Sequence, residues 1–123
     1  MTVTNENIAK AQAYLKRFAD TGVLNQIDGK AVPAASGKTF TTISPVDLKE
    51  LGEVAQGGAE DIDRAARAAR AAVKDWAAMP GAERRNLLHR IADAIVARAE
   101  EIAFVECMDT GQALRFMSKA ALR

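Results

Sequence analysis

The chain has 123 residues, 49% of them hydrophobic and 27% charged, with 17 basic against 16 acidic side chains for a formal charge of +1. That composition is too apolar for a disordered chain and too evenly balanced for a dedicated nucleic-acid binder. One cysteine excludes an intramolecular disulfide, no apolar run reaches the roughly 18 residues that cross a bilayer, and the N-terminus lacks the apolar core of a signal peptide. The expectation is a cytoplasmic protein with no nucleic-acid and no membrane partner.

Residues 1–22 read as an N-terminal helix. Thr4 or Asn5 is placed to cap it, Ile8, Ala11, Leu15 and Phe18 recur at helical spacing, and Gly22 supplies a stop. Residues 23–56 then read as a β segment. Asp28-Gly29 between two short β-prone runs is the signature of a two-residue hairpin turn, and Pro33 pushes the second run towards a sheet edge. "KTFTTISP", closed by a Ser44-Pro45 turn, predicts a further strand, and "LGEVAQGG" another.

Residues 57–123 switch to a helical period. Ile62, Ala66, Ala69, Val73 and Trp76 form one apolar stripe, while acids in the first turn and Lys74 in the last suit the helix dipole. Pro80 can open the next helix, whose face carries Leu88, Ile91, Ala92, Ile95, Ala99 and Ile102, with a bend expected near Glu100. The last segment, "QALRFMSKAALR", puts Ala113, Phe116, Met117 and Ala120 on one side and carries no stop signal, so it reads as a helix that continues or packs on something beyond itself.

The candidate reactive residues are few. Cys107 falls in the last turns of a helix beside Glu106 and Asp109, where the local field disfavours a thiolate, so it reads as a packed, inert thiol. His89 lies in a basic helical stretch and reads as a solvated surface residue. Arg67, Arg70 and Lys74 could meet phosphates, but interleaved acids cancel their field. "GKT" at 37–39 lacks the earlier glycine of a phosphate loop and precedes a strand, and Gly57-Gly58 reads as a strand-to-helix turn. The residues by themselves give an α/β segment without a catalytic constellation.

Four stretches nevertheless carry a resemblance. "F-x-x-x-S-P" at 40–45, "GEVAQG" followed by "A-x-x-D-I-D-x-A-x-x-A-A-R-A-A", "W-x-x-M-P-x-x-E-R" from Trp76 to Arg84, and "E-C-M-D-T-G-Q" at 106–112 together resemble the N-terminal part of the aldehyde dehydrogenase superfamily, over about residues 24–123. The tail "ALRFMSKAALR" is similar to hydroxymuconic semialdehyde dehydrogenases of aromatic-ring degradation.

The resemblance implies an α/β fold: a β-hairpin and strands followed by helices, all part of one doubly wound dinucleotide-binding domain. It also implies a parent enzyme that oxidises an aldehyde to a carboxylic acid with NAD or NADP. A cysteine thiolate would attack the aldehyde, amide donors would stabilise the oxyanion, and a glutamate-assisted water would hydrolyse the thioester.

The family's motifs for that cysteine, that glutamate and the nucleotide do not occur in this stretch. No catalytic and no cofactor-binding residue is therefore assigned, and the residues alone are expected to be inactive. The implied partners are the remainder of the aldehyde dehydrogenase chain and further copies in a homodimer or homotetramer. The family resemblance does suggest a monovalent cation held near Thr42, Ile43 and Asp109, whose hard oxygens suit such an ion; the alternative is that Asp109 caps a helix beginning near Gly111. The rival to the whole reading is a self-standing helical interaction module that docks a partner through an exposed stripe at Phe116 and Met117.

Overall fold

The computed structural model describes residues 3–120. Helix α1 (Val3–Thr21) is followed by strands β1 (Asn25–Ile27), β2 (Lys30–Val32), β3 (Thr39–Ile43) and β4 (Glu50–Ala55). Helices α2 (Ala59–Ala78), α3 (Gly81–Ala97), α4 (Ala99–Thr110) and α5 (Leu114–Ala120) complete the order. α1 already includes Val3, so Thr4 and Asn5 are helical rather than caps. The expected lack of a stop at Arg123 lies outside the described residues.

Both hairpins are antiparallel. In β1–β2 the register pairs Asn25 with Val32 and Ile27 with Lys30, leaving a two-residue turn in which Asp28 (φ 54°) and Gly29 (φ 70°) both adopt positive φ. That geometry matches the right-handed twist of the strands, as the Asp-Gly pair predicts. Strands β3 and β4 pair from Thr39–Ala55 to Ile43–Glu50 with a bulge between Thr42 and Ile43. The connecting turn closes on Ser44, which is fully buried; its N–H donates to the Lys49 carbonyl at 2.8 Å and its Oγ accepts from Val46 N–H.

The chain leaving α1 adds a short parallel rung to β4. Val23 N–H donates to the Glu53 carbonyl (2.7 Å) and the Val23 carbonyl accepts from Ala55 N–H (2.8 Å). This brings the last turn of α1 so close to β4 that a Cβ on Gly52, which adopts φ 152°, would lie 2.9 Å from the Phe18 carbonyl oxygen. Only glycine tolerates both conditions.

Asp61 ties the β segment to α2. Its side chain is almost fully buried and accepts from Ala35 N–H at 3.0 and 3.2 Å and from Gly58 N–H at 3.0 Å, with Arg64 3.6 Å away. One carboxylate thus satisfies the helix N-cap amide and pins the loop that follows the β1–β2 hairpin. β1 packs against α2, and the hairpin turn faces Ala65, Ala68, Ala69 and Ala72 across a small recess. The larger residues of the predicted stripe point elsewhere: Ile62 is 69% exposed, Val73 58% and Trp76 44%.

Arg84 explains the spacing of the Trp76-to-Arg84 link. Its guanidinium reaches back from α3 to the carbonyls of Trp76, Ala77 and Met79, which the end of α2 leaves unpaired. Pro80 sits one residue before α3, whose residues include none that is buried. The bend expected near Glu100 is a break at Arg98 (φ −114°, ψ 14°), which ends α3 and starts α4. Gly111 closes α4 in the left-handed conformation, and α5 folds back to bury Met117.

Replacing Asp61 by alanine leaves the part-buried Ala35 and Gly58 amides without their acceptor, and the unfolding free energy of the protein is expected to fall by about 2 kcal/mol. Asp61→Asn keeps one acceptor oxygen and should lose about half as much. Urea denaturation decides this; a loss in Asp61→Ala within measurement error contradicts the anchoring role.

Candidate functional site

A recess of about 630 Å³ lies between α1, the β3–β4 hairpin and α4. Its walls are apolar at Leu15, Phe18, Leu51 and Val105 and carry charge at Arg17, Arg98, Glu101, Glu106 and Asp109. Thr42 and Asp109 share it, and the Thr42 hydroxyl donates to Asp109 Oδ1 at 3.2 Å across 67 residues of chain.

The pairing brings together two of the three residues expected to hold a cation, and Ile43 follows directly on β3 at the bulge. The capping alternative does not hold. Asp109 lies inside α4, while the first amides of α5, from Phe116 and Met117, donate to the Ala113 carbonyl. Among the described residues no group of three or more histidines, cysteines or acids is arranged to hold a metal.

At the mouth of the recess α1 and α4 are joined by an ionic cluster that the sequence did not disclose. Lys10 and Tyr14 both donate to Glu100, Tyr14 at 2.9 Å, and Arg17 meets Glu101 Oε1 at 2.9 Å. Arg98 holds both oxygens of Glu101, at 2.8 and 2.9 Å. Beneath them the Tyr14 and Phe104 rings pack with centroids 5.8 Å apart. Lys10, Tyr14 and Arg17 are spaced i, i+4, i+7, so one helix face meets two consecutive acids; the spacing is visible in sequence, but nothing local names the partner.

Hydrogen bonds from Lys10 and then Tyr14 hold the Glu100 carboxyl below its ordinary value, and that from Arg98, with the Arg17 charge, does the same for Glu101. The hydrogen bond to Glu100 raises Lys10 and Tyr14.

The other candidates are placed as expected or carry no chemistry. Cys107 is half-buried in α4, and its carbonyl accepts the Gly111 N–H that terminates the helix. His89 is exposed on α3, and Arg67 is exposed and paired with Asp63 at 2.8 Å. Gly57-Gly58 does lead from a strand to the N-terminus of α2, where a dinucleotide's phosphates could in principle sit. The Asp61 carboxylate accepts the Gly58 amide there.

The rival docking stripe is split. Phe116 is half-exposed under the Arg115 guanidinium, whereas Met117 is buried.

A family profile, the Aldehyde dehydrogenase family, matches residues 31–123, three quarters of the chain. The chain is 42% identical over 87 residues to the 2-hydroxymuconic semialdehyde dehydrogenase of Pseudomonas sp. (strain CF600), covering 70% of this chain and 18% of that protein. It is 41% identical over 91 residues to the NADP/NAD-dependent aldehyde dehydrogenase PuuC of Escherichia coli (strain K12), covering 72% and 18%.

Among solved structures, HpcC from Thermus thermophilus superposes with a TM-score of 0.89 at 36% identity, over 93% of this chain and 22% of that one. PnpE in complex with nicotinamide adenine dinucleotide superposes at 0.76 and 36% identity, over 78% and 20%. The chain belongs to the aldehyde dehydrogenase family, has the fold of its N-terminal portion, and spans about a fifth of the length of the relatives it matches.

Both glutamates of the α1–α4 cluster have folded values below their unfolded ones, so their stabilisation is present above the ordinary glutamate range and is lost as pH falls through the depressed values. Melting temperature is expected to drop between about pH 5 and pH 3, and Glu100→Gln should flatten that slope. Parallel slopes in both proteins contradict a contribution from Glu100.

Proposed function

We propose that this chain forms the N-terminal portion of an NAD- or NADP-dependent aldehyde dehydrogenase that converts an aldehyde, of the hydroxymuconic semialdehyde type, to a carboxylic acid. The family match over residues 31–123 carries the reading. The first relative given above is a 2-hydroxymuconic semialdehyde dehydrogenase, which favours that substrate class. The parent acts in the cytoplasm as a homo-oligomer.

The role of these residues is scaffold. The catalytic cysteine and glutamate, and the groups that hold the nucleotide, lie in the remainder of the parent chain. Leu88, Ile91 and Ile95 of α3 are each more than two-fifths exposed, as are Ile62 and Trp76 of α2, and such faces suit cover by the rest of that body. Thr42, the Ile43 backbone and Asp109 hold a monovalent cation that ties the β3–β4 hairpin to α4.

Activity of the full-length parent is the test. Cys107→Ser should leave kcat for aldehyde oxidation, followed by formation of reduced nicotinamide, within about twofold, because removing a true nucleophile costs a factor of about 10³ or more. A collapse of kcat in a folded Cys107→Ser protein refutes the scaffold assignment, and no aldehyde-dependent reduction of either nucleotide by the wild type refutes the enzyme.

The cation is tested separately. At constant ionic strength the melting temperature should be higher by about 2–4 °C in sodium or potassium than in tetramethylammonium chloride, and the difference should vanish in Asp109→Asn. Equal melting in all three salts rules the site out.

A further inference from the structure

We propose that α1 is a strap closed over the recess by charge, which undocks as a unit when ionic strength rises. Three features of its contacts carry this, independently of the enzymatic reading.

First, the apolar footing of α1 is thin. Ala11 is its only buried residue among those described, with Tyr14, Leu15 and Phe18 half-buried. The attachment of α1 to α4 is the Tyr14–Phe104 ring contact together with Lys10, Tyr14 and Arg17 on Glu100 and Glu101. Lys10 and Glu100 are each about half-exposed, which places their attraction within reach of mobile ions.

Second, the released state strands no charge. Glu101 is the less exposed of the two acids, at 18%, and it keeps Arg98 on both oxygens when Arg17 leaves. Glu100 and Lys10 return to water, and Glu6, the other charge that acts on Lys10, travels with α1. A contact whose loss leaves a buried carboxylate unpaired would be a permanent anchor, as Asp61 is. This one is built to let go.

Third, the motion has a defined end. Gly22 adopts φ 66° immediately after α1, and Val23 beyond it is held to β4 by two backbone hydrogen bonds. Rotation at Gly22 therefore frees α1 without unzipping the hairpin. It removes Leu15, Arg17 and Phe18 from one wall of the recess.

Hydrogen exchange by mass spectrometry on the full-length protein tests the strap. Between about 20 mM and about 500 mM sodium chloride, exchange of α1 amides should accelerate about fivefold, while α4 and β4 stay within error. Choline chloride should act equally, because screening and not ion binding is responsible. Lys10→Met with Arg17→Met keeps the alkyl stems, and its α1 should exchange at the high-salt rate in both salts.

Salt-independent exchange of wild-type α1 overturns the proposal. So does acceleration of α1, α4 and β4 together, a response to sodium but not to choline, or a double variant that still responds to salt. If the double variant does not fold, Glu100→Gln replaces it, with α1 exchange at low salt expected between the two wild-type rates; an unchanged rate counts against the strap.

Discussion

The arrangement of this chain depends on one buried carboxylate. Asp61 collects two backbone amides from segments that would otherwise have no reason to meet, the loop after the β1–β2 hairpin and the turn into α2. An ionised group in that position is tolerable only because its lone pairs are used and Arg64 stands 3.6 Å away. Once Asp61 is seated, the start of α2 is set, the alanine face of α2 lies under the hairpin, and Gly57-Gly58 is committed to a structural turn.

A second constraint is the imbalance between small and large apolar residues. Those that are buried include Ala11, Ala34, Ala55 and Ala103, with Ile27, Leu51, Phe104 and Met117 the larger ones. Ile62, Val73, Trp76, Leu88, Ile91 and Ile95 are all exposed. Burying a side chain of that kind contributes about 2 kcal/mol, so six left in water forgo on the order of 10 kcal/mol, the size of a whole domain's net stability. The large apolar residues of α2 and α3 thus contribute little to the core, which draws its larger members from β1, β4, α4 and α5.

Local chemistry made much of this visible in the sequence. Asp28-Gly29 specified its turn because positive φ is a property of those two residues, and Gly111 ended α4 for the same reason. The helical periods placed α2 and α3, although they could not say which face would be inward, since Ala65 and Ala68 won over Ile62 and Trp76 through close approach to the hairpin. What stayed hidden has long sequence separation. Asp61 meets Ala35 across 26 residues and Lys10 meets Glu100 across 90. For Asp61 half the signal was present, a capping-box spacing from Gly58, but its second partner has no side-chain signature. Thr42 and Asp109 came together as the family resemblance implied; spacing alone could not have paired them.

Cys107 shows how the same physics separates scaffold from chemistry. Its own carbonyl closes α4 by accepting the Gly111 amide, which places Cys107 in the last turn of the helix. Arg98 and Arg17 are both engaged with the Glu101 carboxylate. Histidine is no help, because His89 sits exposed on another helix. A nucleophile needs an unspent positive field and a base within reach, and this segment has distributed its positive charge to hold helices together.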